Sequence, residues 1–393
     1  MTLFDEWDRT DRRPSGQSEV HWRFLDRVAG PYWDQVRTLL NDWFEHLSDA
    51  EARAGIRGRM RGKEDSEFNS ALAELYVHEM LLRAGYSVIY EPAVTGSARR
   101  PDFLAIRGDE RMYVEVTSRQ IWAKSGGDVK REAALYDAID AMNSDNFTLS
   151  FEVERRGPRS PSPRAIIRAL TNWLAKLDPD EVLPAISVQG FRAMPELTFD
   201  RDGWVIVFGA IPIPKEHRSR NNDRRTIGIS GGGGGGVNDA DVIRDALADK
   251  THAYGEMDAP YVVALALDHI RSDEVETALY GGKSVRIQSD EVEDGWRTIP
   301  GRDSRGYWSS GETSRRSHVS GMLVLPGGLP YKVAEGAPTL WINPHAMRPA
   351  AALDVWAQVE VADHGLATAE ASIPPWVFFG LSREWPLGEP WAW

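Results

Sequence analysis

The sequence predicts an α/β fold: a mixed sheet flanked by helices on both faces, with a helical N-terminal cover and a larger α/β C-terminal region. Three observations predict it. Two continuous apolar runs, "WVIVFGAI" (204–211) and "YVVALAL" (261–267), read as strands buried on both faces. Segments with helical apolar spacing alternate with such strands. The stretch "RRPDFLAIRGDERMYVEVTSR" (Arg99 to Arg119) places two strand-like runs around a Gly108-Asp109 turn.

Each element follows in order. Residues 1–17 are polar, hold Pro14 and Gly16, and are expected to be a disordered tail. Residues 18–64 are expected to form the helical cover, because Leu25, Val28, Trp33, Val36, Leu39, Leu40, Trp43 and Phe44 recur near helical spacing. Glu67 to Ala84 is the clearest helix, with Ser66 as its N-cap and Gly85 as its stop. After Gly85 the period changes, and "YSVIYE", "DFLAI" and "MYVEVT" read as three strands. A helix follows near 128–142, a strand at 147–153 and a helix at 161–177. The strand at 204–211, a helix at 239–254, the strand at 261–267 and a strand at 320–326 complete the pattern. The aromatic-rich tail from 350 to 393 is assigned no element, and no internal repeat is present.

Composition bounds the chemistry. The chain has 393 residues, 42% of them hydrophobic, enough for a large core and one to three domains. No run of about 18 apolar residues predicts a membrane span, and the charged N-terminus lacks the apolar centre of a signal peptide. A cytoplasmic location is expected. The absence of cysteine excludes disulfides, thiolate catalysis and cysteine-ligated metal centres. A net charge of −13 argues against a general nucleic-acid coat, though not against a local basic groove. Three basic stretches are candidates for one: Arg53 to Lys63, Arg155 to Arg168, and Lys215 to Arg225. Taken singly, each reads first as a solvated loop.

Several motifs carry little. The six glycines Gly231–Gly236 generate a G-x-S-x-G match (Gly228, Ser230, Gly232) by composition, and Gly282-Lys283-Ser284 lacks the earlier glycine of a phosphate loop. The nine histidines form no H-x-x-x-H pair, which argues against a histidine zinc site, and His318 and His345 suggest no specific role. Lys250 and Tyr254 are one helical turn apart before a strong strand. They read as a core tyrosine with a snorkelling lysine, with phosphate contact as the alternative. The Trp residues mostly read as core, with Trp122, close after the motif, a candidate for stacking on a base.

The hairpin carries more. Tyr113, Glu115 and Thr117 share one strand face, and the apolar Met112, Val114 and Val116 share the other. Asp102 opens the neighbouring strand, where it can lie beside Glu115. Two adjacent carboxylates repel each other unless a cation sits between them, and an oxygen-lined site suits Mg²⁺ or Mn²⁺. Glu74 on the preceding helix is the expected third carboxylate, with Glu67 as the alternative.

Glu74 on a helix ending at a glycine, then a strand, Pro101-Asp102, a hairpin and Glu115-Val116-Thr117 resemble the PD-(D/E)XK nuclease superfamily, the restriction-endonuclease-like fold. That likeness covers about 65–155, expected to be the nuclease core, with 156–393 as a C-terminal α/β region. More closely, "RPDFL" followed by "YVEVT" is similar to a set of uncharacterised actinobacterial proteins, a likeness spanning most of the chain. The resemblance implies Mg²⁺-dependent phosphodiester hydrolysis of nucleic acid, DNA by family analogy, with bacterial defence as the setting. Asp102, Glu115 and the Val116 carbonyl would hold the metal, and Glu74 would complete the site directly or through water.

The family's lysine position is Thr117, which carries no charge. The lysine is expected to have migrated, with Lys130, Lys124 and Arg119 as candidates, or Gln120 is expected to position water without charge. The rival expectation is a catalytically inactive nucleic-acid-binding or complex-forming subunit that keeps the fold. The bland expectation is an ordinary hairpin in which Asp102 caps a turn and Glu115 pairs with Arg99 or Arg119. An oligomer is compatible with either function.

Overall fold

The computed structural model describes residues 2–16, 18–119, 127–142, 144–218, 226–231, 239–251, 254, 257–267, 272–290, 295–309, 317–326, 329–351, 353, 355–362 and 365–391. The chain forms two compact units. One comprises Met1–Arg12, Val20–Trp122 and Val237–Trp393, and the other Arg13–Glu19 and Ala123–Gly236. The expected boundary at 155/156 is therefore not where the chain divides. The expected core at 65–155 is shared between the units, because the chain leaves the first after its third strand and re-enters it near 237.

The first unit opens with helices α1 (His21–Arg27), α2 (Pro31–Glu45), α3 (Ala50–Met60) and α4 (Asp65–Arg83). Ser66 falls inside the first turn of α4 and Glu64 holds the cap position. Gly85, at φ 85°, supplies the left-handed residue that stops the helix, and the Tyr86 N–H returns to the Leu81 carbonyl. Every residue of α4 from Ala71 to Leu81 is buried, as expected of a helix covered on all sides. The strands β1 (Ser87–Tyr90), β2 (Phe103–Arg107) and β3 (Glu110–Arg119) follow. Gly108, at φ 59°, makes the tight turn between the last two.

The second unit contains α5 (Gly127–Asp140), β4 (Phe147–Arg155), α6 (Pro163–Leu174), α7 (Pro179–Gln189), β5 (Glu196–Arg201), β6 (Trp204–Pro212) and β7 (Ile227–Gly231). Its sheet runs β5-β6-β4-β7 around a core that includes Phe151, Ile166, Trp204 and Phe208. The run "WVIVFGAI" is thus a strand of its own sheet and not a neighbour of "YVVALAL".

The first unit resumes with α8 (Asp239–Thr251), β8 (Tyr261–Leu267), α9 (Ser272–Tyr280) and the hairpin β9 (Lys283–Asp290) and β10 (Gly295–Arg302). Strands β11 (Gly321–Leu325), β12 (Thr339–Ile342), β13 (Ala357–Ala362) and β14 (Gly365–Ala369) and helix α10 (Pro375–Phe378) complete it. Its eight-stranded sheet is mixed, in the order β1-β2-β3-β8-β11-β12-β13-β14, with β3, β8 and β11 parallel. One face, with Phe103, Met112, Val114, Val116 and Ala264, packs against the N-terminal helices. The other, with Leu104, Tyr113, Val263 and Leu265, packs with residues of α8 and α9. The alternation read from the sequence places both sets correctly.

One terminal expectation changes. Leu3 and Phe4 are buried, their N–H groups donate to Asn41, and Phe4 stacks on Trp22 at 4.4 Å, so the N-terminus is tied to the core. The aromatic tail packs back on the N-terminal helices, with Phe379 between Trp43 and Tyr76 and Trp391 against Trp33.

Candidate active site

The antiparallel register Phe103↔Val114 extends by one step to set Asp102 opposite Glu115. The Val116 N–H donates to Asp102 Oδ2 at 2.6 Å, fixing the carboxylate against β3. Glu115 is only 5% exposed. The Lys250 ammonium donates to its Oε1 at 2.6 Å and the Tyr254 hydroxyl to its Oε2 at 2.5 Å. The Tyr254 oxygen also lies 3.0 Å from the Arg100 carbonyl, just before Asp102, and its ring packs edge-on against Tyr261. Burial, followed by the Glu115 carboxylate, holds the Tyr254 phenol well above its ordinary pKa, so it stays a donor.

Glu74 is buried and held by the Arg59 guanidinium, Nη1 to Oε1 and Nη2 to Oε2, both at 2.5 Å. Its charge still reaches Asp102. Burial first, then Glu115 and Glu74, push the Asp102 carboxyl up to about 8, against the opposing pull of the Val116 N–H and Lys250. Three carboxylates, Glu74, Asp102 and Glu115, thus share two cations, Arg59 and Lys250. Glu67, the alternative third carboxylate, is exposed.

Among the described residues no cluster of three His, Cys, Asp or Glu side chains is placed to hold a metal ion. The expected three-carboxylate cage is not formed, because Arg59 takes both Glu74 oxygens. Asp102 and Glu115 do come together, and their donors are hard oxygens of the kind Mg²⁺ or Mn²⁺ takes. Burial and the neighbouring Glu115 and Glu74 charges resist ionisation of Asp102.

Thr117 is buried and uncharged, and accepts a hydrogen bond from Arg119 Nη1 at 3.0 Å. Gln120, Trp122 and Lys124 lie outside the described residues. Lys130 falls on α5, in the second unit, and its side chain is also outside them. The ammonium beside Glu115 is that of Lys250, whose sequence context alone suggests a snorkelling lysine. The signal lies in the sequence, where Lys250 and Tyr254 are four residues apart just before β8, the parallel neighbour of β3; the helix itself ends at Thr251, short of the expected 254. The long second unit between β3 and α8 hid the fact that α8 is the crossover helix over this pair.

The expected arginine partners of Glu115 are engaged differently. Arg119 binds Thr117 and Asp249, and the charge of Arg99 reaches Tyr254. The basic stretch Arg53 to Lys63 is largely spent inside the molecule. Arg57 donates to the Thr2 carbonyl and Arg61 to that of Leu3, both pair with Asp5, Arg59 holds Glu74, and Arg53 lies over Phe44. Part of the third stretch, 219–225, lies outside the described residues. No helix among the described residues is long and apolar enough to cross a membrane. No family model, curated protein or solved structure matches this chain.

Proposed function

We propose that this protein is a divalent-metal-dependent phosphodiesterase acting on nucleic acid, DNA by family analogy, built on a PD-(D/E)XK-like core with a relocated lysine. The observation that carries the reading is Asp102 facing Glu115 with Lys250 on Glu115 Oε1. A helix, three antiparallel strands, a crossover helix and a strand parallel to the third (α4, β1, β2, β3, α8, β8) support the restriction-endonuclease-like assignment. A role in bacterial defence rests on the same analogy.

Asp102, Glu115 and the Val116 carbonyl would hold Mg²⁺ or Mn²⁺. When bound, the metal supplies Lewis-acid stabilisation of phosphate charge and an acidified water. Lys250 orients Glu115 and presents a positive charge beside the carboxylate pair, the task a lysine at Thr117 would perform. Tyr254 fixes the other Glu115 oxygen and the backbone before Asp102. Glu74 is assigned a supporting role, holding Arg59 and adding negative charge near Asp102.

Plasmid, single-stranded DNA and RNA incubated with and without Mg²⁺ or Mn²⁺ test the reading. Cleavage is expected with metal. It should vanish in Asp102→Ala and Glu115→Ala, and fall on the order of 100-fold or more in Lys250→Ala, the range for a lost preorganised charge. Lys250→Arg should fold as wild type and remain impaired. A second reading, an inactive binding subunit, is favoured by Thr117 and by the occupation of both Glu115 oxygens. Nucleic-acid binding without cleavage or metal affinity would select it.

A further inference from the structure

Arg119 is the last residue of β3 and shares a strand face with Glu115 and Thr117. It lies where the parallel strands β3, β8 and β11 end, and in open α/β sheets ligands bind outside such carboxyl ends. Its guanidinium folds back along the strand. Nη1 donates to Thr117 Oγ1 at 3.0 Å and to the Ser118 carbonyl at 3.1 Å, and Nη2 to Asp249 Oδ2 at 2.8 Å. Positive charge is therefore parked on the side chain that replaces the family's lysine.

The partner on α8 is informative. Asp249 and Lys250 are adjacent and make parallel bridges to β3, Lys250 to Glu115 and Asp249 to Arg119. The two bridges differ in depth. Glu115 is 6% exposed as a side chain, whereas Asp249 is 65% exposed and Arg119 35%. An ion pair that open is a weak, screened hold. A phosphodiester offers the same guanidinium two oxygens in the fork geometry it prefers.

We infer that Arg119 is the substrate-phosphate ligand of the site, restrained by Asp249 until a nucleic-acid backbone displaces that carboxylate. The inference rests on the nuclease reading for its substrate and adds what grips it. Lys250 stays on Glu115. Arg119 exchanges Asp249 for the non-bridging oxygens of the bound phosphodiester. Asp249 also repels the incoming polyanion, which sets a threshold on non-specific binding.

The test uses the full chain and fluorescein-labelled duplex DNA or single-stranded RNA in EDTA, where binding is read without metal or cleavage. Anisotropy is measured across a salt series. Arg119→Gln is expected to weaken binding about tenfold at low salt. It should also reduce the slope of log affinity against log salt by about one. Arg119→Lys should restore the slope but not the full affinity, which separates a phosphate contact from a fold defect. Asp249→Asn should tighten binding. The inference is overturned if Arg119→Gln matches wild type in affinity and slope, or if neither probe binds wild type. Metal-dependent cleavage with an unchanged Arg119→Gln slope leaves the nuclease reading standing and removes this inference. An Arg119-dependent slope with no cleavage does the reverse, and the stronger-binding probe identifies DNA or RNA as the source of the phosphate.

Discussion

Asp102 accepts the Val116 N–H in a space it shares with the charges of Glu115 and Glu74. Burial and those charges raise its pKa from the ordinary 3.8 to about 8 in the folded chain. The folded state therefore holds this proton more tightly than the unfolded state. The associated stability is fully present below the ordinary carboxylate range and is lost as pH rises through about 8. Urea denaturation of the metal-free protein across that range should show the midpoint falling with pH. Asp102→Asn, which cannot ionise, should show a shallower fall, and the difference between the two isolates this residue. Added Mg²⁺ should flatten the wild-type curve, because a cation between the carboxylates favours the ionised form. Parallel curves for wild type and Asp102→Asn would show that Asp102 does not carry the shifted proton. The carboxylate pair was legible in the sequence because strand alternation and a two-residue turn together fix a register. Lys250 was not legible as its partner, since that contact depends on which helix crosses over β3.

Helices α3 and α4 show a second limit of what sequence carries. The apolar period of α4 was plain, but its burial on all sides, with Glu74, His78 and Glu79 inside, was not. Those polar residues are tolerated unequally. Glu79 is met by His46 and Arg83, while burial lowers the His78 pKa to about 4, which keeps the ring neutral. Glu74 is met by Arg59 from the last turn of α3, a residue that composition alone grouped into a basic surface stretch. Breaking a buried pair costs about 3–5 kcal/mol because one charge is left alone. Arg59 is 34% exposed, so water compensates in part and about 2 kcal/mol is expected for Arg59→Ala. Removing both partners with Arg59→Ala/Glu74→Ala should recover much of that loss, since no unpaired charge remains. Chemical denaturation of the three proteins decides it. Additive losses would mean the pair is not coupled, and would return Glu74 to candidacy as a direct metal ligand.

At the scale of the whole molecule, the mixed sheet with helical flanks was legible, because apolar strands and helical periods alternate along the chain. The division into two units was not. Sequence order placed 65–155 in one body, whereas β3 finds its parallel neighbour β8 only after the chain has passed through the second unit. Nothing local in "YVEVTSR" records that the next strand of its sheet lies near 261, since parallel pairing needs only a crossover of sufficient length. Each unit has its own sheet and its own apolar core, so the elements that bring Asp102, Glu115, Lys250 and Tyr254 together all belong to the first. Replacing Ala123–Gly236 with a short Gly/Ser linker should therefore leave that unit folded. A strand's carboxyl end and the start of its crossover helix lie at the same end of a βαβ unit, so a short connection spans them. Calorimetry should resolve more than one transition in the full chain and a single one in the shortened protein. If the carboxylate–lysine site is self-sufficient, the shortened protein should also retain metal-dependent cleavage that Lys250→Ala removes. A shortened protein that folds cooperatively yet does not cut, while the full chain does, would assign to the second unit a part in substrate binding or catalysis that the first unit's side chains do not supply.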